Sequence, residues 1–367
     1  MSLEPGVERA TPLTRIIDAA LERAGGWLPF DRFMAMALYA PGLGYYANDS
    51  TKFGQMPDSG SDFVTAPEMT PLFGQTLAVQ VAEALEKTGT DTVWEFGAGS
   101  GALAAQLLDA LGKRVKRYRI VDLSGTLRAR QRVVLDRFGD KVEWLSALPD
   151  AMRGVVVGNE VLDAMPVQLL QRVRGRWFER GVVKAPGGDG WAWEDRPTDL
   201  RPPVEPEGPQ DYLTEIHRQG EAFIATLADR LEAGAAFFLD YGFPESEYYH
   251  PQRHMGTVMC HRAHQADDNP LLDVGLKDIT AHVNFTGIAL AGQDAGLEVL
   301  GYCSQARFLL NCGLLSKMEH ATQAQRAMAA RLIHEHEMGE LFKVVGFAVG
   351  TPWEALGFAE GDRSHTL

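Results

Sequence analysis

TVWEFGAGSGA, residues 92–102, decides the fold. Thr92 to Phe96 are β-branched or aromatic except for Glu95, and glycines follow at 97, 99 and 101. From Ala102 the chain continues in good helix formers, ALAAQLLDAL. The pattern predicts a buried strand, a tight turn and a helix over 101–111. Glycines at such a turn let the backbone approach a ligand and take φ values that a side chain resists. The N–H groups opening the helix add positive potential. Working outward, strands are predicted at 117–122 (RYRIVD), near 141–145, at 154–158 (GVVVG), 235–240 (AAFFLD), 297–302 (LEVLGY) and 343–350 (KVVGFAVG). Helices are predicted at 72–87, around 124–137, at 212–232 and 278–292, and through most of 305–338. Alternating strands and helices predict an α/β fold with a parallel sheet, whose ligands bind beyond the carboxyl ends of its strands.

The glycine run can be read in two ways. As G-x-G-x-x-G/A, with Gly97, Gly99 and Ala102, it suits a dinucleotide. As E-x-G-x-G-x-G, from Glu95 through Gly97, Gly99 and Gly101, it resembles the first motif of class I S-adenosylmethionine methyltransferases. Asp122, at the end of the next strand, suits a ribose diol in both readings. Glu95 and the placement of Gly101 favour the methyl donor, whose cationic centres would sit well in an acidic pocket.

A second constellation is GNEVLDAMP, 158–166. Asn159, Glu160 and Asp163 follow a predicted buried strand and should face the ligand crevice. A helical continuation after 159 would put Glu160 and Asp163 at i, i+3 on one face. Two carboxylates there could clamp a guanidinium; the plainer reading is an N-cap asparagine beside a solvated acid pair. A third stretch, SGSDFVTAPE at 59–68, has no spacing that demands chemistry, and Thr65 or Asp62 could simply cap the next helix. Asp240-Tyr241-Gly242 ends a buried strand, so Asp240 is expected near the site. His282 suits a helix cap on periodicity alone. His250, His254, Cys260, His261 and His264 match no zinc-finger or ribbon spacing, so no metal site is predicted. Trp177, Trp191 and Trp193 should pack a layer of hairpins over 167–205.

Composition narrows the classes further. The chain has 367 residues and a formal net charge of -14. That sign argues against sequence-independent nucleic-acid binding and against an anionic membrane as main partner. Three cysteines in no CxxC pair suggest a reducing compartment. No apolar run approaches the roughly 18 residues of a membrane span, and no signal or transit pattern opens the chain, so a cytoplasmic, bacterial-type location is expected. GxSxG and HExxH motifs are absent, which disfavours hydrolases.

The order of motifs resembles the MidA-like family of S-adenosylmethionine-dependent methyltransferases, whose mitochondrial members are assembly factors for respiratory complex I. The matching segments are Phe33-Met34, Gly44-Tyr45-Tyr46, SDFVTAPE (61–68), FGAGSGAL (96–103), NEVLDAMPV (159–167), DYG (240–242), DITAHVNF (278–285) and GELFKVV (339–345). The resemblance implies a class I fold: Rossmann-like, with a seven-stranded, mostly parallel sheet, an N-terminal helical lid, a β-hairpin insertion and C-terminal helices. It implies S-adenosylmethionine as cofactor, held by Thr65, Pro67, Glu68, Glu95, Gly97, Gly99, Gly101, Asp122, Leu123 and Asn159. It also implies methylation of a protein arginine, symmetric dimethylation of a complex I subunit being attributed to the mitochondrial members. Glu160 and Asp163 are the candidate guanidinium carboxylates, and His282 a second proton acceptor. Two departures stand out. Ser61 replaces a family glycine, which Gly60 precedes, and the family's E-L-G-P-G-R-G is E-F-G-A-G-S-G here, with every glycine kept. The expected divisions are a lid over 1–71, a first core half over 72–166 and the hairpin insertion over 167–211. A second core half over 212–304, C-terminal helices and last strand over 305–350, and a tail over 351–367 complete them. Residues 41–71 should close over the cofactor. The competing classes are a non-catalytic assembly chaperone on the same fold and a dinucleotide-dependent oxidoreductase.

Overall fold

The computed structural model describes residues 11–48, 64–122, 125–187, 189–262 and 264–367. Leu123, Ser61 and most of the expected lid loop therefore lie outside the described residues. The chain divides into two compact units. One gathers Met1–Thr51, Ala164–Gln219 and Ser246–Ala281; the other gathers Lys52–Asp163, Gly220–Glu245 and His282–Leu367.

The second unit carries the sheet that the sequence predicts. Its seven long strands are β1 (Thr92–Phe96), β2 (Arg117–Val121), β3 (Val142–Leu145), β4 (Met152–Asn159), β5 (Leu231–Phe243), β6 (Leu297–Ser304) and β7 (Phe342–Val349). Their order is β6-β7-β5-β4-β1-β2-β3. Every pair from β5 to β3 is parallel, and β7 runs antiparallel to both neighbours. The strand interiors are continuous apolar runs because helices cover both faces of such a sheet: Val155, Val156 and Val157 of β4 are all fully buried. The chain runs outward from β1 to β3 and then returns to place β4 on the other side of β1. That reversal is the switch point where α/β sheets open a ligand crevice. The two segments singled out in the sequence, after β1 and after β4, emerge side by side there.

The first unit holds the hairpins. Leu28–Pro29, Gln168–Val173, Arg176–Lys184, Trp191–Pro197 and Tyr212–Ile216 form an antiparallel sheet. The helix Phe30–Tyr39 packs on it through Phe33 against Trp191 (ring centroids 5.5 Å apart) and Phe30 against Trp193 (5.4 Å). The tryptophans thus do pack a hairpin layer.

Two predicted helices are corrected. Residues 212–232 split into the strand Tyr212–Ile216 and the helix Arg218–Arg230. Thr214 and Glu215 are buried beside Tyr212 in a register that pairs Gln168 with Ile216, so tertiary pairing overrides helical propensity. Residues 278–292 become the strand Asp278–Thr280, the two-residue strand Val283–Asn284 and the helix Phe285–Asp294. The cap of that helix is Asn284, whose side chain accepts from Gly287 N. His282 therefore lies before the helix and does not cap it.

Candidate active site

The glycine turn after β1 is shaped by backbone that only glycine takes cheaply. Gly97, Gly99 and Gly101 have φ of 62°, 52° and 86°. A Cβ on Gly97 would lie 2.9 Å from Cγ2 of Val161, so this glycine also lets the turn pack against the segment after β4. Gly101 N donates to Ala98 O at 2.7 Å and closes the turn onto the helix Ala102–Leu111.

Behind the turn lies a buried acid. Glu95 is 2% exposed, and its Oε2 accepts from the Tyr118 hydroxyl at 2.7 Å. Burial pushes its carboxyl up to about 8; the Tyr118 bond opposes that shift, and the charge of Asp122 adds to it. Asp122 Oδ2 accepts from Gln131 Nε2 at 2.8 Å. The same nitrogen donates to Gly99 O at 3.0 Å, and Gln131 Oε1 accepts from Trp144 Nε1 at 2.9 Å. One fully buried amide thus ties the glycine turn to the acid at the end of β2. Three residues back on its helix, Arg128 clamps the carbonyls of Asp122 and Leu145. Neither residue was signalled by the sequence, because a glutamine in GTLRARQRVVL reads as part of a solvated face.

On the other flank, a cavity of about 280 Å³ is lined by Pro67, Glu68, Pro71, Ser100, Ala102 and Gln106. The TAPE segment and the glycine turn thus share a hollow. Burial raises the Glu68 carboxyl above its ordinary value, opposed by a hydrogen bond with Ser100. Gln106 fixes this wall, donating to Pro67 O at 2.6 Å and accepting from Gly74 N at 2.9 Å. Thr65 occupies the N-cap position of Ala66–Met69, but its side chain makes no capping bond.

The segment after β4 is not helical. Glu160 takes a left-handed φ of 53°, and the chain then bends through 161–165 as turn and coil. The acids are gathered instead by β5. Asp240 is 1% exposed, and its Oδ2 accepts from the backbone N–H of Val161, Leu162 and Asp163 at 3.1, 2.9 and 3.2 Å. Burial, with the neighbouring charges of Asp163 and Glu160, pushes the Asp240 carboxyl well above the usual range. The next residue, Tyr241, donates its hydroxyl to Asp163 Oδ2 at 2.7 Å. Asn159 Nδ2 donates to Glu160 Oε1 at 3.0 Å. Among the described residues, the buried Asn159 Oδ1 has no hydrogen-bond partner. His282 stands on the far side of Tyr241, with their rings 5.3 Å apart edge to face, and 5.2 Å from Phe243. Gly242 makes this approach workable, since a Cβ there would meet Val283 O at 2.1 Å. Glu160, Asp163 and His282 are therefore brought around one strand end, by β5 and not by a helix face. Among the described residues no group of three His, Cys, Asp or Glu side chains is placed to hold a metal.

Fold and site together define a class I S-adenosylmethionine-dependent methyltransferase. Over residues 76–303 the chain matches the family described as "Putative S-adenosyl-L-methionine-dependent methyltransferase", and it belongs to that MidA-like family. A crystal structure of a Burkholderia thailandensis protein bound to S-adenosyl-homocysteine superposes with a TM-score of 0.94 and 47% identity, covering 100% of both chains. A native structure from the same organism gives a TM-score of 0.89 and 46% identity, again covering 100% of both chains. The mitochondrial protein arginine methyltransferase NDUFAF7 of Danio rerio is 27% identical, over 86% of this chain and 80% of its own. The Caenorhabditis elegans homologue of that protein is 25% identical, with the same coverage. The cofactor is thus the methyl donor S-adenosylmethionine, and the dinucleotide reading is set aside.

Proposed function

We propose that the enzyme methylates the guanidinium of an arginine in a protein substrate. The observation that carries this reading is the acid loop after β4, packed against the glycine turn through Gly97 and Val161. Support also comes from relatives named protein arginine methyltransferases. The cofactor, when bound, supplies a methyl group on a cationic sulfur, open to in-line displacement. The cradle fits such a group: three left-handed glycines leave only the small Ala98 and Ser100 side chains on the turn, and Asp122 is held in place by Gln131. Gly97, Gly99, Gly101 and Asp122, with Glu68 across the hollow, would hold it.

The remaining work falls to the chain's own acids. A guanidinium stays protonated near neutral pH, with a pKa above about 12, and is a poor nucleophile. Glu160 and Asp163 orient it by paired charge-assisted hydrogen bonds and draw its charge onto the nitrogens they bind. The remaining nitrogen keeps the electron density that attacks the methyl carbon. One carboxylate, or His282 beyond Tyr241, accepts the proton released as the bond forms.

Replacing Glu160 by Gln tests the reading. S-adenosylhomocysteine affinity should stay within about twofold by calorimetry, while transfer of labelled methyl to protein should fall by about 100-fold or more. Transfer at the parent rate would remove the carboxylate clamp from the mechanism. We extend the proposal to a client of the complex I type, symmetric dimethylation and a cytoplasmic site of action. Mass spectrometry of the labelled product and cell fractionation test these three points.

A further inference from the structure

Asp240 and Tyr241 lie outside the acid loop, yet their contacts determine its shape. Glu160 sits in a left-handed conformation that is strained for a non-glycine residue, and such strain persists where surrounding contacts over-determine it. Those contacts are at hand. Glu160 N donates to Leu239 O at 2.9 Å, and the next three backbone N–H groups converge on Asp240 Oδ2. The other oxygen, Oδ1, accepts from Tyr241 N at 3.0 Å. Tyr241 then turns its hydroxyl onto Asp163 and the edge of its ring toward His282.

Resting on the reading of the acid loop as the acceptor site, we propose that Asp240 and Tyr241 form a positioning pair for methyl transfer. Asp240 fixes the loop backbone that aims Glu160, and Tyr241 orients the Asp163 carboxylate and spaces it from His282. The pair acts on the acceptor side, Asp240 bearing on the glycine turn through Val161, which packs beside Gly97. Among the described residues, the charges of Asp163 and Glu160 on the loop bear on Asp240 of β5, and His282 lies against the Tyr241 ring. Lys343 of β7 is the register partner of Asp240, and its ammonium donates to the carbonyls of Glu340 and Leu341, lies 3.8 Å from the Glu340 carboxylate and stands over the Phe243 ring.

Tyr241→Phe is the informative variant, because it keeps the ring and its packing and removes only the hydroxyl. The full-length protein is assayed with S-adenosylhomocysteine by calorimetry. Transfer is followed with labelled S-adenosylmethionine and total protein from cells lacking the enzyme. The expected result is unchanged S-adenosylhomocysteine affinity, with transfer about tenfold slower. The acid limb of the pH–rate profile should also move to higher pH, since an ionised Asp163 loses a donor. A parent-like rate with an unmoved acid limb overturns the proposal. Asp240→Asn, which keeps an oxygen acceptor, should retain S-adenosylhomocysteine affinity and more transfer than Asp240→Ala. Equal transfer by these two variants, both folded by circular dichroism, overturns Asp240's part. The underlying reading fails separately: acid hydrolysis of the labelled product from the parent enzyme would then yield no methylarginine, whatever the variants do.

Discussion

Glu95 holds its proton at neutral pH, because its carboxyl is buried behind the glycine turn and pushed up to about 8. The unfolded chain gives that proton up near the ordinary glutamate value, about 4.3. Between these points the folded state binds more protons than the unfolded one, so this group's contribution to stability falls as pH rises. The slope approaches about 1.4 kcal/mol per pH unit at most. Glu95→Gln, which keeps an acceptor for Tyr118, should remove that slope. Denaturant unfolding from pH 5 to 8.5 measures it, and parallel curves for parent and variant would contradict the assignment. Gly99 illustrates the opposite kind of residue. At φ 52° a β-branched side chain is strained, and Gly99→Val should abolish S-adenosylhomocysteine binding in calorimetry. Retained affinity would take the turn out of the cofactor site. Gly99 was legible in the sequence because its role is written in its own backbone. Gln131 was not, because its value lies in joining Asp122, Gly99 and Trp144 from three separate stretches.

Elements were legible where one periodicity dominated. The glycine turn, the all-valine interior of β4 and the hairpin stretch folded as their patterns predict. The failures came where short strands carry residues buried on both sides. DITAHVN has a helix-like distribution of apolar side chains, yet Val283 and Asn284 are taken by the end of β5, in register with Gly242 and Phe243. Similarly, Glu160 and Asp163 suggested one helix face. A buried acid nearly eighty positions away drew the backbone N–H groups into a turn instead, and no local pattern records such a partner. The role of Gly242 follows from this. Gly242→Ala puts a methyl where Val283 O now lies, so the pairing must open. Amide exchange at Val283 and Asn284 should quicken, and methyl transfer should fall with His282 displaced, while the glycine turn keeps its ligand. Protected amides in the variant would show that the strand end tolerates the bulk.

At the scale of the whole molecule, ligand identity and charge remain to be connected to the fold. A ligand that binds only the native state stabilises it by about 2.7 kcal/mol at 100 times its dissociation constant. S-adenosylhomocysteine should therefore raise the melting temperature, and NAD should leave it unchanged. The net charge of -14 makes a second demand. Under the proposed function, a net-negative protein attracts a basic client through the solvent, and that attraction weakens as the Debye length falls from about 10 Å at 0.1 M salt to about 3 Å at 1 M. S-adenosylhomocysteine carries no net charge near neutral pH, and its contacts in a cradle are short, so salt should hardly move its affinity. Transfer to a basic protein acceptor, held well below saturation, should instead drop severalfold between 50 and 500 mM salt. Initial rates and calorimetry at the same salt concentrations separate the two effects. A transfer rate indifferent to salt would mean that the charge keeps the protein in solution and plays no part in choosing its client.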